Sequence, residues 1–371
     1  MNVYLPLALV LALLCFLMRN NEARAKRAFM WSFLVAFVLA AIRYQFGPDY
    51  DSYWTIFDSI HGVDVATYTS VGSSAEKWFL YYISFFPKYT VFIIANTFLW
   101  FLANYLFLSK YIKGSDSWLI ILYFFFNITY FRLSMVAMRS AMSAFLFFFA
   151  LLVLFSGKKY TRLLDLAIVL FAGQFHTSCL AMAPLVFLSS SKKSFFFSPW
   201  LLIVATLVAL SAFALGHNVV VERLGEMVVD NVDAMSRYSE EEGYEFGTVS
   251  NTLNSLLFMM ANLVIAYYLS LSGGKETDPS FVYIYKIAIV AAIVQLVFGQ
   301  GMIQERFFMF FNPCYLAALI RSKYKSPQVF NVLVFILIAA SSLYIMYAKM
   351  SLNYSQSFLF YHTIFSAPYI P

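Results

Sequence analysis

The stretch "LFAGQFHTSCLAMAP", residues 170–184, decides how this chain is threaded. It lies in an apolar run, 163–188, long enough to cross a membrane, and interrupts that run with Gly173, His176 and Pro184. Glycine weakens a helix interior, and proline removes a backbone donor and clashes with the preceding turn. The run therefore either crosses once or breaks near His176 and returns, and the flanking charges discriminate. With one crossing, "IRSKYKS" (Arg321, Lys323, Lys325) falls outside together with Lys275, while the acidic loop 216–252 falls inside. With a return, the basic residues of 19–28, 109–117, 156–162, 189–198, 273–280 and 321–328 all fall inside. Most of the 19 acids then fall outside. Cytoplasmic loops carry the excess of Lys and Arg, so the second arrangement is expected: a hairpin too short to cross fully, with His176 at its outer turn. Backbone of that kind is tolerated only where protein or a wet cavity covers it.

Composition agrees with a membrane setting. Of 371 residues, 62% are hydrophobic and 12% charged, against roughly 45–50% and about 25% in soluble domains. Too few polar residues remain to coat a water-facing globule. The net charge of +6 resides in short loops between apolar runs, which excludes a nucleic-acid surface as its explanation. Runs suited to crossing are 2–18, 29–46, 89–108, 117–131, 133–155, 199–215, 253–272, 281–298, 307–320 and 329–347. The first is followed, not preceded, by basic residues (Arg19, Arg24, Lys26, Arg27), the reverse of a secretory signal. It reads as an uncleaved helix that starts outside, which puts both termini on the outer face. The expected fold is an all-α polytopic membrane protein, a single domain over 1–371, with about ten full crossings and the short re-entrant-like hairpin. Two outer segments, 47–88 and 216–252, read as amphipathic helices and loops on the membrane surface. Cys15, Cys179 and Cys314 are scattered through apolar runs and read as core filler. No GxGxxG, P-loop, HExxH or internal repeat occurs.

The informative residues are the charges at membrane depth, which are costly there and default to function. "IRYQFGPDYDSYWTIF", residues 42–57, places Arg43, Asp49 and Asp51 at the mouth of an apolar run, among Tyr50, Tyr53 and Trp54. Arg43 reads either as an arginine snorkelling to the interface or as part of a site. Arg132 and Arg139 stack on one helical face two turns apart. They point either to pairing with Asp49, Asp51 or Glu305, or to an anion site. Arg306 opens an outer-face helix beside Glu305. Asp49 and Asp51 spell D-x-D, which two carboxylates alone make a weak metal signature. Arginine forks onto phosphate bidentately and stays charged, so a site built of arginines can stabilise a leaving pyrophosphate without a metal. The acids and His176 offer a base for an attacking hydroxyl.

These motifs resemble the EpsG/Wzy-type bacterial polysaccharide polymerases. The resemblance rests on R-x(3)-G-x-D-Y-x-x-Y (Arg43, Gly47, Asp49, Tyr50, Tyr53), "MRSAMSAFLFFFALL" with Arg139, "GQFHTSCLAMAPL" around His176, and "ERFFMFF" with Arg306. Ser140 departs from the pattern, standing where the family has glutamine. The resemblance implies a GT-C-like, metal-independent glycosyltransferase without cofactor in the bacterial inner membrane, active at the periplasmic face. Its donor and acceptor would be undecaprenyl-pyrophosphate-linked repeat units, joined into O-antigen, capsule or exopolysaccharide. Membrane lipid, a chain-length regulator and a flippase of the same pathway would be its partners. Asp49, His176, Arg139 and Arg306 are then the candidate catalytic residues, with Asp49 or His176 as the base. Arg43, Arg132, Tyr50, Asp51, Tyr53 and Glu305 are candidates for binding pyrophosphate and glycan. An O-antigen ligase would use nearly the same donor chemistry. A lipid-linked-oligosaccharide flippase or secondary transporter is the alternative of another class, against which stands the lack of paired Gly/Pro-broken segments in two halves.

Overall fold

The computed structural model describes residues 4–44, 49–61, 65, 75–126, 135–154, 161–188, 193–214, 252–298, 302–329, 331–337 and 362–363. These form helices, apart from a two-residue antiparallel pairing of β1 (Arg43–Tyr44) with β2 (His362–Thr363). The chain divides into two compact units, residues 1–187 with 338–371 and residues 188–337.

The first unit begins with α1 (Tyr4–Leu17) and α2 (Glu22–Ala41). Asn21 caps α2, its side chain accepting from the Arg24 N–H at 3.1 Å, and Glu22 lies in the first turn, where the helix dipole favours an acid. Glu22 also accepts from the Gly114 N–H at 2.9 Å, fixing the start of α2 to the turn Gly114–Asp116. The buried stripe of α2, with Ala25, Ala28, Phe29, Ser32, Phe33 and Ala36, recurs at helical spacing. Its small residues allow close approach to the helix it packs on. After α3 (Tyr50–Ile60) and α4 (Lys77–Ser84) comes that partner, α5 (Tyr89–Tyr111), with Trp100 and Phe107 fully buried. α6 (Ser117–Phe126) packs on α1, α7 (Met138–Leu154) on α5, and α8 (Thr161–Ala172) on α7. A 3-10 helix, Thr177–Met182, and α9 (Ala183–Phe187) then fold back along α8.

The second unit holds α10 (Lys193–Phe196), α11 (Pro199–Ala214), α12 (Thr252–Gly274), α13 (Pro279–Phe298) and α14 (Met302–Ser322), followed by helical residues at 331–337. α13 is central, with α11, α12 and α14 packed on it. Ile284, Tyr285, Ile287, Ala288, Ile289, Ala291 and Ala292 are accordingly fully buried.

Among the described residues, two helices are long and apolar enough to cross a membrane, Tyr89–Tyr111 and Pro279–Val297. Of the ten runs expected to cross, six extend beyond the described residues: 2–18, 29–46, 117–131, 133–155, 199–215 and 329–347. Shorter apolar helices among the described residues include Leu7–Leu17, Met138–Leu154 and Pro199–Ser211, while α12 has 23 residues and α14 has 21. In α2 Glu22, Arg24, Lys26 and Arg27 precede the apolar stretch of the helix. The segment 216–251 lies outside the described residues, as do Gly47 and Pro48.

Candidate functional site

Arg139 occupies the first turn of α7, and two hydrogen bonds set that turn in place. Asn96 of α5 donates from Nδ2 to the Met138 carbonyl at 3.1 Å. Ser143 donates from Oγ to the Ala172 carbonyl at 2.9 Å, joining α7 to the last turn of α8. Beyond Ala172 the helix stops. Gln174 N–H bonds the Phe171 carbonyl and Phe175 N–H the Ala172 carbonyl, both at 3.0 Å, which tightens the last turn. His176 is extended (φ −160°, ψ 119°) and immediately precedes the 3-10 helix that follows. The reversal needs Gly173, because a Cβ there would meet Leu180 Cδ2 at 2.2 Å and Cγ at 2.7 Å.

The reversal brings His176 to Arg139, and one acid joins them. Glu76, immediately before α4, accepts from Arg139 Nη1 through Oε2 at 2.8 Å. Its Oε1 meets His176 Nδ1 at 3.0 Å and accepts from the Thr177 N–H at 3.2 Å. The side chains of Arg139, Glu76 and His176 keep 17, 16 and 12% of their exposure, enough for a small polar group to reach them while most water is excluded. Burial pushes the Glu76 carboxyl up. The His176 hydrogen bond and the charges of Arg139 and His176 outweigh it, leaving the carboxyl at about 2, so Glu76 is an anion at neutral pH. Aromatic residues adjoin the cluster in the chain, Phe175 before His176 and Trp78 two after Glu76. Phe175 lies against Phe171 and Tyr82, ring centroids 5.3 and 6.1 Å apart, and Trp78 packs edge-on to Phe171 at 5.5 Å. In so apolar a setting charge–charge interactions are stronger than in water.

Of the other residues singled out from the sequence, Tyr53 lies nearest the cluster. Burial raises its hydroxyl pKa, the adjacent Arg139 charge opposes that, and the Asp49 carboxylate adds to it. Asp49 occupies the position before α3 without capping it, and Asp51, two residues on, is exposed. Tyr50 is buried in the aromatic core, its ring 5.3 Å from that of Tyr89, whose hydroxyl donates to the Tyr50 carbonyl at 3.0 Å. Arg43 does not snorkel to water: it is fully buried and donates to Thr97 Oγ1 of α5 at 2.8 Å. Arg132 and the side chains of Glu305 and Arg306 lie outside the described residues. Among those described, no three of His, Cys, Asp and Glu cluster as a metal site would require. The residue the sequence did not single out is Glu76, which stood there only as one outer acid among many.

Comparison with curated proteins and with solved structures finds no match. A family model does match, over residues 26–363, and its span includes Arg43, Glu76, Arg139, His176 and Arg306. On that match the chain belongs to the EpsG family, membrane-associated glycosyltransferase-like polymerases of polysaccharide synthesis.

Proposed function

We propose that the chain joins undecaprenyl-pyrophosphate-linked oligosaccharide repeat units at the periplasmic face and releases undecaprenyl pyrophosphate. The observation that carries this reading is the meeting of Arg139 and His176, from different helices, in one part-exposed spot. A histidine near neutrality is suited to take a proton from an acceptor hydroxyl. A guanidinium beside it is suited to the negative charge of a departing pyrophosphate.

In this mechanism His176 takes the proton of a sugar hydroxyl on the incoming unit as its oxygen bonds to the anomeric carbon of the nascent chain. The bond from that carbon to the pyrophosphate oxygen breaks, and its electron pair leaves with the phosphate. Arg139 faces that charge, with Arg132 and Arg306 as further arginines of the phosphate site, so that a metal is dispensable. His176, which Glu76 holds beside Arg139, is the base in preference to Asp49. The GT-C-like, multi-pass arrangement in the bacterial inner membrane belongs to the same proposal.

The test is the surface glycan of a strain lacking the gene. One repeat unit per acceptor, restored to long chains by the wild-type gene, is the expected result. His176→Ala should fail to restore them, its yield of polymer falling by about 100-fold or more while the protein accumulates. A core without any repeat unit would instead mark a ligase or a flippase and overturn the reading.

A further inference from the structure

We propose that Glu76 is the positioning residue of this site: anchored on Arg139, it holds His176 in the tautomer whose proton is on Nδ1, leaving Nε2 as the basic nitrogen. The role in proton transfer rests on the polymerase reading above; the tautomer does not.

The argument is one of donors and acceptors. An ionised carboxylate only accepts. Glu76 Oε1 at 3.0 Å from His176 Nδ1 therefore requires a proton on Nδ1. The same oxygen accepts the backbone N–H of Thr177, the residue after His176, so ring and backbone are held together. The other oxygen is engaged by Arg139 at 2.8 Å, which prevents the carboxylate from rotating away. Arginine cannot lose its proton, so it is an obligate donor, and it sets the direction of the whole chain of bonds. A histidine held by a carboxylate in this way has its working nitrogen chosen for it.

A near-isosteric substitution follows from the same logic. In Glu76→Gln one end of the side chain is an oxygen and the other an NH2. Arg139 and the Thr177 N–H must both donate, and the charged, shorter Arg139 bond takes the oxygen in preference to the neutral bond at 3.2 Å, so the NH2 turns to His176. Nδ1 then has to accept, and the proton moves to Nε2. The substitution should thus invert the tautomer without changing size.

The test is 15N NMR of ring-labelled full-length protein in lipid nanodiscs, at a pH where the ring is neutral. The protein has four histidines, so the His176 signals are identified by their loss in His176→Asn. Wild type should show a pyrrole-like Nδ1 and a pyridine-like Nε2. Glu76→Gln should exchange the two and lower polymer yield by about 100-fold or more. A wild-type His176 protonated on Nε2 overturns the proposal without need of any variant. So does a Glu76→Gln protein with both tautomer and polymer unchanged. An inverted tautomer with full polymer length would leave Glu76 as the positioning residue but remove His176 as the base. Loss of the polymerase reading in the deletion strain, with the wild-type tautomer as expected, would overturn only the role in proton transfer.

Discussion

At the scale of the residue, two carboxylates do similar things to different ends. Glu76 and Glu276 both accept from an arginine and from backbone N–H groups, and both have the carboxyl held at about 2 against the upward push of burial. Glu276 is closed in completely. Its Oε2 accepts from Arg321 Nε at 2.9 Å, its Oε1 accepts from the Thr277 and Asp278 N–H groups at 3.0 and 3.2 Å, and Lys325 stands 3.7 Å away. Lys193 donates to its backbone carbonyl. Glu276 thereby fastens the turn between α12 and α13 to the end of α14. Glu76 instead engages a histidine at a part-exposed place, which is why one is read as a fastener and the other as part of a site. Glu276→Gln should lower the stability of the detergent-solubilised protein by about 1–3 kcal/mol at neutral pH, read as a lower midpoint of thermal unfolding. The sign with pH follows from the depressed pKa. The contribution of Glu276 is whole above its ordinary 4.5 and is lost as pH falls toward about 2, so wild type and variant should converge across that window.

At the scale of the element, the decisive feature is the reversal after α8. Gly173 is packed under Leu180, and the 3-10 helix carrying Leu180 begins right after His176. Gly173→Ala should push that helix outward and His176 with it, lowering polymer yield by about tenfold or more with the protein still present. Leu180→Ala in the same chain should recover most of the loss, because it removes the atoms the new Cβ would strike; two independent losses that merely add would refute the packing account. This element was open to reading in advance because its determinants are local: a glycine, a histidine and a proline break an apolar run within a dozen positions. Arg139 was equally legible as a charge no apolar helix should carry. Glu76 was not, because its partners are 63 and 100 residues away in the chain. One indication was present nonetheless. Arg139 and His176 called for an outer counter-charge, and Glu76 directly precedes the aromatic helix "KWFLYYIS".

At the scale of the whole molecule, each unit has a basic end, and the charge rule orients it. In the first unit Lys88 precedes α5 and Lys113 follows it, and the 23 residues of Tyr89–Tyr111 rise about 35 Å, enough to span a hydrocarbon core of about 30 Å. Glu76, Arg139 and His176 converge beyond one end of this unit's helices, and Asn96, nearer the start of α5, bonds the turn that carries Arg139. Toward the other end of α5, the turn Gly114–Asp116 meets Glu22 among Arg24, Lys26 and Arg27. In the second unit Lys193, Lys275, Arg321, Lys323 and Lys325 gather around the turn at Glu276. On the proposed orientation the basic ends lie in the cytoplasm and the Glu76 cluster on the outer side. Single cysteines test this directly, because the native Cys15, Cys179 and Cys314 are buried and should react little. Lys88, Lys113 and Lys275 are all exposed and can each be replaced. In spheroplasts a membrane-impermeant thiol reagent should label Lys88→Cys at once, and Lys113→Cys and Lys275→Cys only after the membrane is permeabilised. Labelling of Lys113→Cys from outside would invert the first unit and move the Glu76 cluster to the cytoplasmic side, where a polymerase of exported glycan could not use it. Labelling of Lys275→Cys alone would leave that cluster in place but require an odd number of crossings fewer or more between the two positions, and the hairpin at His176 would then have to cross the membrane after all.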